Sequence, residues 1–380
     1  MRENGLMKRM GILWGVIALL NLLGCLRGFC DWYKRWIYGV VSDALGMATA
    51  WIPFALGEVL AYLGVIAVIG LLATGILLIF LRKRPGFRRF AAVYGKGMLV
   101  LLGILGLIYT LNWILPFRAT ILKVPGMEER KYTLEEVQEV RDYLVAQLNV
   151  CAKEAPRDEN GQVIYDLKTQ TEAVYASMKA MAGEYPLLGG YYPPMKKALC
   201  KDFLEWMDIG GYTYPYTMEV TYNPYVSHLF YPSLLAHESA HHQGYYQENE
   251  ANFIAFLACT RSEDPVVRYA GYNEIYYYLN NALVQTAYEI MEPEEAKNYV
   301  KSLPKVSKRV QEDRENAAKE RQARYDSVSH PAQNLAPTAA QVADVGWSVQ
   351  GDMLKENSYD GVVKMVLDHY FQSKTLDQSL

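Results

Sequence analysis

The sequence predicts an α-helical membrane anchor of three transmembrane helices, followed by a mainly α, α+β domain with a small edge-strand sheet. Three observations predict it. Long apolar runs are confined to the first 117 residues; a polar, acidic chain begins at Arg118; and a His-Glu-x-x-His quintet lies in a short helical segment ahead of a second, acidic one. The first 117 residues hold 12 Lys and Arg against 4 Asp and Glu, which leaves 26 basic and 37 acidic residues for the rest. Hydrophobic residues make up 51% of the 380, too much apolar surface for a disordered chain. Five Cys and 28 Gly exclude disulfide-scaffold and collagen-like classes. A net charge of -3 argues against a strong basic field, so no nucleic-acid partner is expected.

The apolar runs cover about 10–29, 54–81 and 91–117. A bilayer core about 30 Å thick takes about 20 apolar residues as helix, and lipid offers backbone groups no water partner. Basic residues mark the cytoplasmic side: Arg2, Lys8 and Arg9 at the start, and Arg82 to Arg89 between the second and third runs. Three crossings then place residues 118–380 outside the cytoplasm as one domain, and 1–117 is the anchor. Arg27–Pro53 reads as an outer loop in which Trp32, Trp36 and Trp51 suit an interfacial segment. Glu58 reads as an interfacial charge near the outer end of the second span. An alternative for the first run is a lipoprotein signal peptide ending at Leu22-Leu23-Gly24-Cys25, with Cys25 acylated. The spacing of Cys151, Cys200 and Cys259 assigns no disulfide.

Beyond the anchor, Thr133 and Glu136 form a capping-box pair ahead of a helical stripe, Val137, Val140, Leu144 and Leu148. A turn at Asp158–Gly161, a helix over Leu167–Met181, a Gly/Pro-rich loop over Tyr185–Pro194 and a short helix over Lys196–Met207 follow. Gly210–Tyr222 is rich in β-formers and reads as one or two strands, ended by Asn223-Pro224. Helices are then expected over Tyr231–Gln243 with Gly244 as the stop, Glu248–Thr260, Asn273–Ile290 and Lys301–Tyr325, with a loop at His330–Pro337 and helical patterning in Gly346–Tyr370.

The quintet is His237-Glu238-Ser239-Ala240-His241. Residues i and i+4 share a helix face, so both rings can address one ion. Glu238, one step round, suits a general base acting on a water activated by zinc, which lowers its pKa toward about 7. This is the pattern of HExxH zinc hydrolases and of a zincin-like fold. The preceding strand sits where such peptidases keep the edge strand that pairs with an extended substrate. A third His at the HExxHxxGxxH position is replaced by Gln247. Glu248 and Glu250 are about 200° apart on a helix, so only one can face the ion. Glu248 is the chosen third ligand, because Asn252 four residues on can orient a ligand His; Glu250 is the alternative. Tyr272 and His228 are candidates for oxyanion or substrate contact. His242 turns away from His241 and reads as a surface or supporting group.

Three N-terminal spans, the strand end Tyr216-Thr217-Met218-Glu219, the HExxH helix, Glu248-Asn249-Glu250-Ala251-Asn252-Phe253, Ala258-Cys259, Tyr269–Tyr272 and the tail Asn357-Ser358-Tyr359-Asp360-Gly361-Val362-Val363 resemble a bacterial membrane family, domain of unknown function 3810. The resemblance covers nearly the whole chain. It implies a zinc metallopeptidase of the Glu-ligand (gluzincin) type, with His237, His241 and Glu248 or Glu250 as ligands and Glu238 as base; Glu219 on the preceding strand joins Tyr272 and His228 as a candidate for oxyanion or substrate contact. The function expected is hydrolysis of peptide or protein substrates outside the cytoplasm by a multi-pass protein of the cell membrane. The alternative is a catalytically silent zincin-fold sensor or scaffold of the cell envelope, against which the presence of Glu238 speaks.

Overall fold

The computed structural model describes residues 2–127, 129–341 and 358–379. The chain forms two compact units. Unit 1 is Met1–Thr120 with 191–199 and 213–221; unit 2 is 121–190, 200–212 and 222–380. Two short segments beyond residue 117 therefore cluster with the anchor.

Unit 1 is built on α1 (Arg2–Leu23), α4 (Leu56–Leu81) and a long rod comprising α5 (Pro85–Tyr109), a π-helical turn Thr110–Ile114 and α6 (Leu115–Phe117). Among the described residues, three helices are long and apolar enough to cross a membrane: Gly5–Leu23, Leu56–Leu81 and Pro85–Phe117. The first does not continue to Phe29 as expected. The chain turns at 24–26, because Gly24 lies so close to the third rod that a Cβ there would stand 2.9 Å from Leu115 Cδ2.

The first and third spans are parallel. A Cβ on Gly103 would stand 2.6 Å from Leu13 Cδ2, so the glycine lets the Leu13 side chain lie against the third rod. Further along, Asn21 Nδ2 donates to Thr110 Oγ1 (3.0 Å), and Gly24 faces Leu115. Residue numbers rise together on both rods. The second span is antiparallel to the third, joined by a turn at 82–84, and Tyr94 Oη donates to Ala67 O across them (2.7 Å). Leu23, Leu56 and Phe117 thus share one end of the bundle, and the basic residues Arg82 to Arg89 lie at the other.

The expected loop Arg27–Pro53 is mostly helix: α2 (Arg27–Tyr33), a π-helical turn (Lys34–Tyr38) and α3 (Gly39–Ala50) follow one another without a break. Its packed side carries Cys30, Tyr33, Lys34, Tyr38, Ser42, Gly46 and Thr49. That stripe mixes aromatic, small and polar residues where a soluble helix would bury aliphatic ones, which is why hydrophobic patterning does not reveal it.

The sheet has strands β1 (Lys196–Lys197), β2 (Gly211–Tyr214) and β3 (Glu219–Tyr222) in the order β1-β3-β2. Lys196 and Lys197 were expected in a helix; they pair with β3 instead, and the helix shortens to α9 (Lys201–Trp206). β3 is the central strand, so the edges are β1 and β2. Met218, with φ 53°, turns the chain between β2 and β3 in a conformation that non-glycine residues seldom adopt. Glu219 is buried and saturated. It accepts the backbone N–H groups of Leu56 (3.0 Å) and Gly57 (2.7 Å) at the start of α4, the Thr217 hydroxyl (2.8 Å) and the ammonium of Lys196. Glu58 is likewise buried and accepts the N–H of Leu199 (2.8 Å), rather than lying at a lipid interface as an isolated charge.

Unit 2 is helical. α7 (Leu134–Glu154) carries the predicted capping box of Thr133 and Glu136, and α8 (Leu167–Ala180) is capped by Asp166. α10 (Tyr231–His242) and α11 (Glu248–Thr260) pack on each other and on α12 (Pro265–Ile290). α12 begins at Pro265 rather than Asn273, because Asp264 caps the N–H groups of Val266 and Val267. The expected Lys301–Tyr325 helix is divided into α13 (Pro293–Ser302) and α14 (Lys308–Asp326), with Pro304 in the break. His330–Pro337 contains a short 3₁₀ turn, Gln333–Leu335. α15 (Ser358–Ser379) packs on α11; residues 346–357, with Asn357 of the tail motif, lie outside the described residues. A Cβ on Gly271 would stand 2.5 Å from Cys259 Cβ, so α11 and α12 meet nearly backbone to backbone.

Candidate metal centre

α10 begins with Pro232, pre-set for the first turn, and ends at Gly244, whose φ of +99° suits a residue without Cβ. That reversal folds the chain back, so that Tyr245 N–H donates to Ala240 O (3.0 Å). It also brings the Tyr245 carbonyl to His241 Nδ1 (2.9 Å). A carbonyl only accepts, so Nδ1 of His241 carries the proton and Nε2 presents a lone pair. His237 Nδ1 meets Asn252 Oδ1 on α11 (2.8 Å), which orients that ring in the same sense.

Both Nε2 atoms converge on one carboxylate. His237 Nε2 lies 3.3 Å from Glu248 Oε2, and His241 Nε2 lies 3.7 Å from Glu248 Oε1. One atom from each of the three residues lies within 4.8 Å of the others. Tetrahedral zinc with bonds of about 2.0–2.1 Å holds its ligand atoms about 3.4 Å apart. The donor set, two imidazoles and a carboxylate with both outer ring nitrogens already engaged, fits such an ion.

Burial opposes the charge on His237, but the Glu248 carboxylate beside it, with Glu238 and Asn252, raises its pKa to about 9. Burial takes His241 down to about 4 against the pull of Glu248. Burial also opposes ionisation of Glu248, yet His241 and His237 hold its carboxyl at about 2. With His241 neutral, the charges of His237 and Glu248 cancel, so one ion pair occupies the place where a metal cation would sit. Glu248 keeps 28% of its side chain exposed, which leaves the centre open to solvent.

The other expected residues fall as follows. Glu238 is buried on α10, next to His237. Glu250 is outside the cluster: it accepts the N–H of Leu122 (2.7 Å) and of Gln247 (3.3 Å), so its carboxylate caps α11. Asn252 supports His237 as expected. His228 pairs with Glu320 (3.5 Å) and lies edge-on to the Tyr165 ring, and Tyr272 lines a separate cavity of about 590 Å³ with Tyr143, Phe256 and His369. Neither joins the cluster. His242 is fully buried rather than a surface group. Glu219 belongs to the saturated network of unit 1.

Two contributors escaped the sequence reading. One is the Tyr245 carbonyl, for which Gly244 after the histidines was the available signal. The other is Glu274, a single acid in the aromatic run of α12. Burial raises its pKa, and the positive charges of His237 and Arg314 oppose the rise. A lone carboxylate among Tyr and Ile in a buried helix was the signal that could have found it.

The profile of a family described as Protein of unknown function (DUF3810) matches residues 33–366. No curated protein and no solved structure matches the chain.

Proposed function

We propose that this chain, which belongs to the family of unknown function just matched, is a membrane-anchored zinc metallopeptidase that cleaves peptide bonds outside the cytoplasm. One observation carries the reading: the outer nitrogens of His237 and His241 are engaged by Asn252 and Tyr245, which turns their Nε2 atoms toward Glu248. A zinc ion held there would supply Lewis acidity and lower the pKa of a water toward about 7. Glu238 takes the proton of the attacking water and returns it to the leaving amine nitrogen. Asn252 and the Tyr245 carbonyl hold the two rings in register through the cycle.

Sidedness rests on charge. Arg82 to Arg89 crowd the bundle end opposite to Leu23, Leu56 and Phe117. Basic residues stay cytoplasmic, so residues beyond Thr120 leave on the other side. The substrate class is a peptide or protein there.

The test is metal analysis of the full-length protein together with cleavage of a peptide library. About one zinc per chain is expected, lost in His237→Ala. Glu238→Gln should keep the zinc and lose about 10²–10⁴-fold in rate. Zinc retained by His237→Ala refutes the ligand set. A zinc-loaded wild type that cleaves nothing, as Glu238→Gln does, supports the silent sensor instead.

A further inference from the structure

The Arg27–Ala50 helix packs a mixed face and leaves an apolar one open. Its packed side holds Lys34, Ser42 and Thr49 beside Cys30, Tyr33 and Tyr38, while its open side holds Trp36 (60% exposed), Val40 (71%) and Met47 (53%), continued by Trp51 (80%). Water does not explain such a face. Its position supplies a partner. The helix starts three residues after the first span ends at Leu23, and it leads into the second span at Leu56. Both points lie at the same end of the bundle, as the parallel packing of the first and third spans and the antiparallel second span require. Its pieces of 7, 5 and 12 residues make a rod about 36 Å long at 1.5 Å per residue. A rod that begins and ends at one face of a membrane bundle runs along that face. Asp31 ties it there by accepting the N–H (2.6 Å) and hydroxyl (2.7 Å) of Thr120, just past the third span.

From this geometry we infer that Arg27–Ala50 is an in-plane membrane helix. Trp32, Trp36, Val40, Met47 and Trp51 sit in the boundary between lipid headgroups and acyl chains, where tryptophan is favoured. Arg35 stacks over Trp36 at 5.0 Å and reaches the phosphate level from the same side. The opposite side of the helix is the deck that carries the sheet. Asp43 accepts the N–H of Tyr191 (3.1 Å), the Thr49 carbonyl accepts from Lys196 Nζ (2.9 Å), and the Thr49 hydroxyl donates to Thr217 O (3.4 Å). The three-stranded sheet is thereby held at a set height above lipid. This placement stands whether or not the histidines bind a metal.

Spin labelling of the full-length chain in phosphatidylcholine–phosphatidylglycerol vesicles tests it. Cys25 is replaced by serine, and a nitroxide is placed on Val40→Cys or Met47→Cys, with Leu72→Cys in the second span and Lys308→Cys in unit 2 as references. Labels at 40 and 47 should collide with dissolved oxygen more than with an aqueous nickel chelate, at a ratio between the two references. A ratio equal to that of Lys308→Cys puts the face in water and overturns the proposal. Exclusion from both agents, with spin–spin broadening between chains, assigns the face to a second copy and also overturns it.

Discussion

Two carboxylates, one in each unit, are surrounded in opposite ways. Glu219 in unit 1 faces donors alone: two backbone N–H groups, a hydroxyl and an ammonium. Every lone pair is answered, and the group welds a strand to the start of a membrane helix. Glu248 in unit 2 faces two ring nitrogens whose hydrogens are pinned on the far side. Two ring nitrogens and a carboxylate then meet at one spot, where a cation, either a proton on His237 or a metal ion in its place, joins them. The same residue type is structural where donors converge on it and a ligand candidate where acceptors do. Glu219 is buried and Glu248 keeps 28% of its side chain exposed, but the sign of the neighbours is what sets their roles apart.

The largest effect that would sharpen this contrast is on stability. Glu219→Ala strands the Lys196 ammonium in a buried site, and should cost about 3–5 kcal/mol by chemical unfolding in detergent, with zinc stoichiometry unchanged. Loss of metal in that variant would erase the distinction between the two carboxylates. Next comes Asn252→Ala, which frees the His237 ring; zinc affinity should fall about 10–100-fold by chelator competition while the fold persists. Gly244→Ala forces a Cβ into φ +99°. It should cost about 1–2 kcal/mol and weaken zinc through the displaced Tyr245 carbonyl, read by thermal melting with and without metal. The smallest effect is expected of Glu250→Gln, which keeps an oxygen to accept from Leu122 and gives up the longer contact with the Gln247 N–H. Zinc content should be unchanged there, and a variant that loses it would return the third-ligand role to Glu250.

Much of the fold was legible from local signals. The Thr133 box, the Gly244 stop, the limits of Glu248–Thr260 and the two strands before the HExxH helix are each written in two to five adjacent residues, because caps and turns are short-range interactions. What was missed is long-range. Lys196–Lys197 is too short for any periodicity, and it is a strand only because β3 is beside it. Arg27–Ala50 hides its helix because its packed side mixes aromatic, small and polar residues and its open side is apolar. In the site, the i, i+4 histidines and the Asn252 position were readable, since helix geometry alone sets them on one face.

The sequence by itself determined three apolar spans, their basic end, and two imidazoles one helical turn apart. These follow from hydropathy and from 3.6 residues per turn, which need no partner element. Only the tertiary structure placed Glu248 rather than Glu250 beside the two histidines, and placed Glu219, His228 and Tyr272 outside that cluster. Those outcomes depend on which donors or acceptors arrive from elsewhere in the chain: Leu122 at Glu250, Lys196 at Glu219, Glu320 at His228. No local pattern records the neighbours that a fold brings from 23 to 128 residues away.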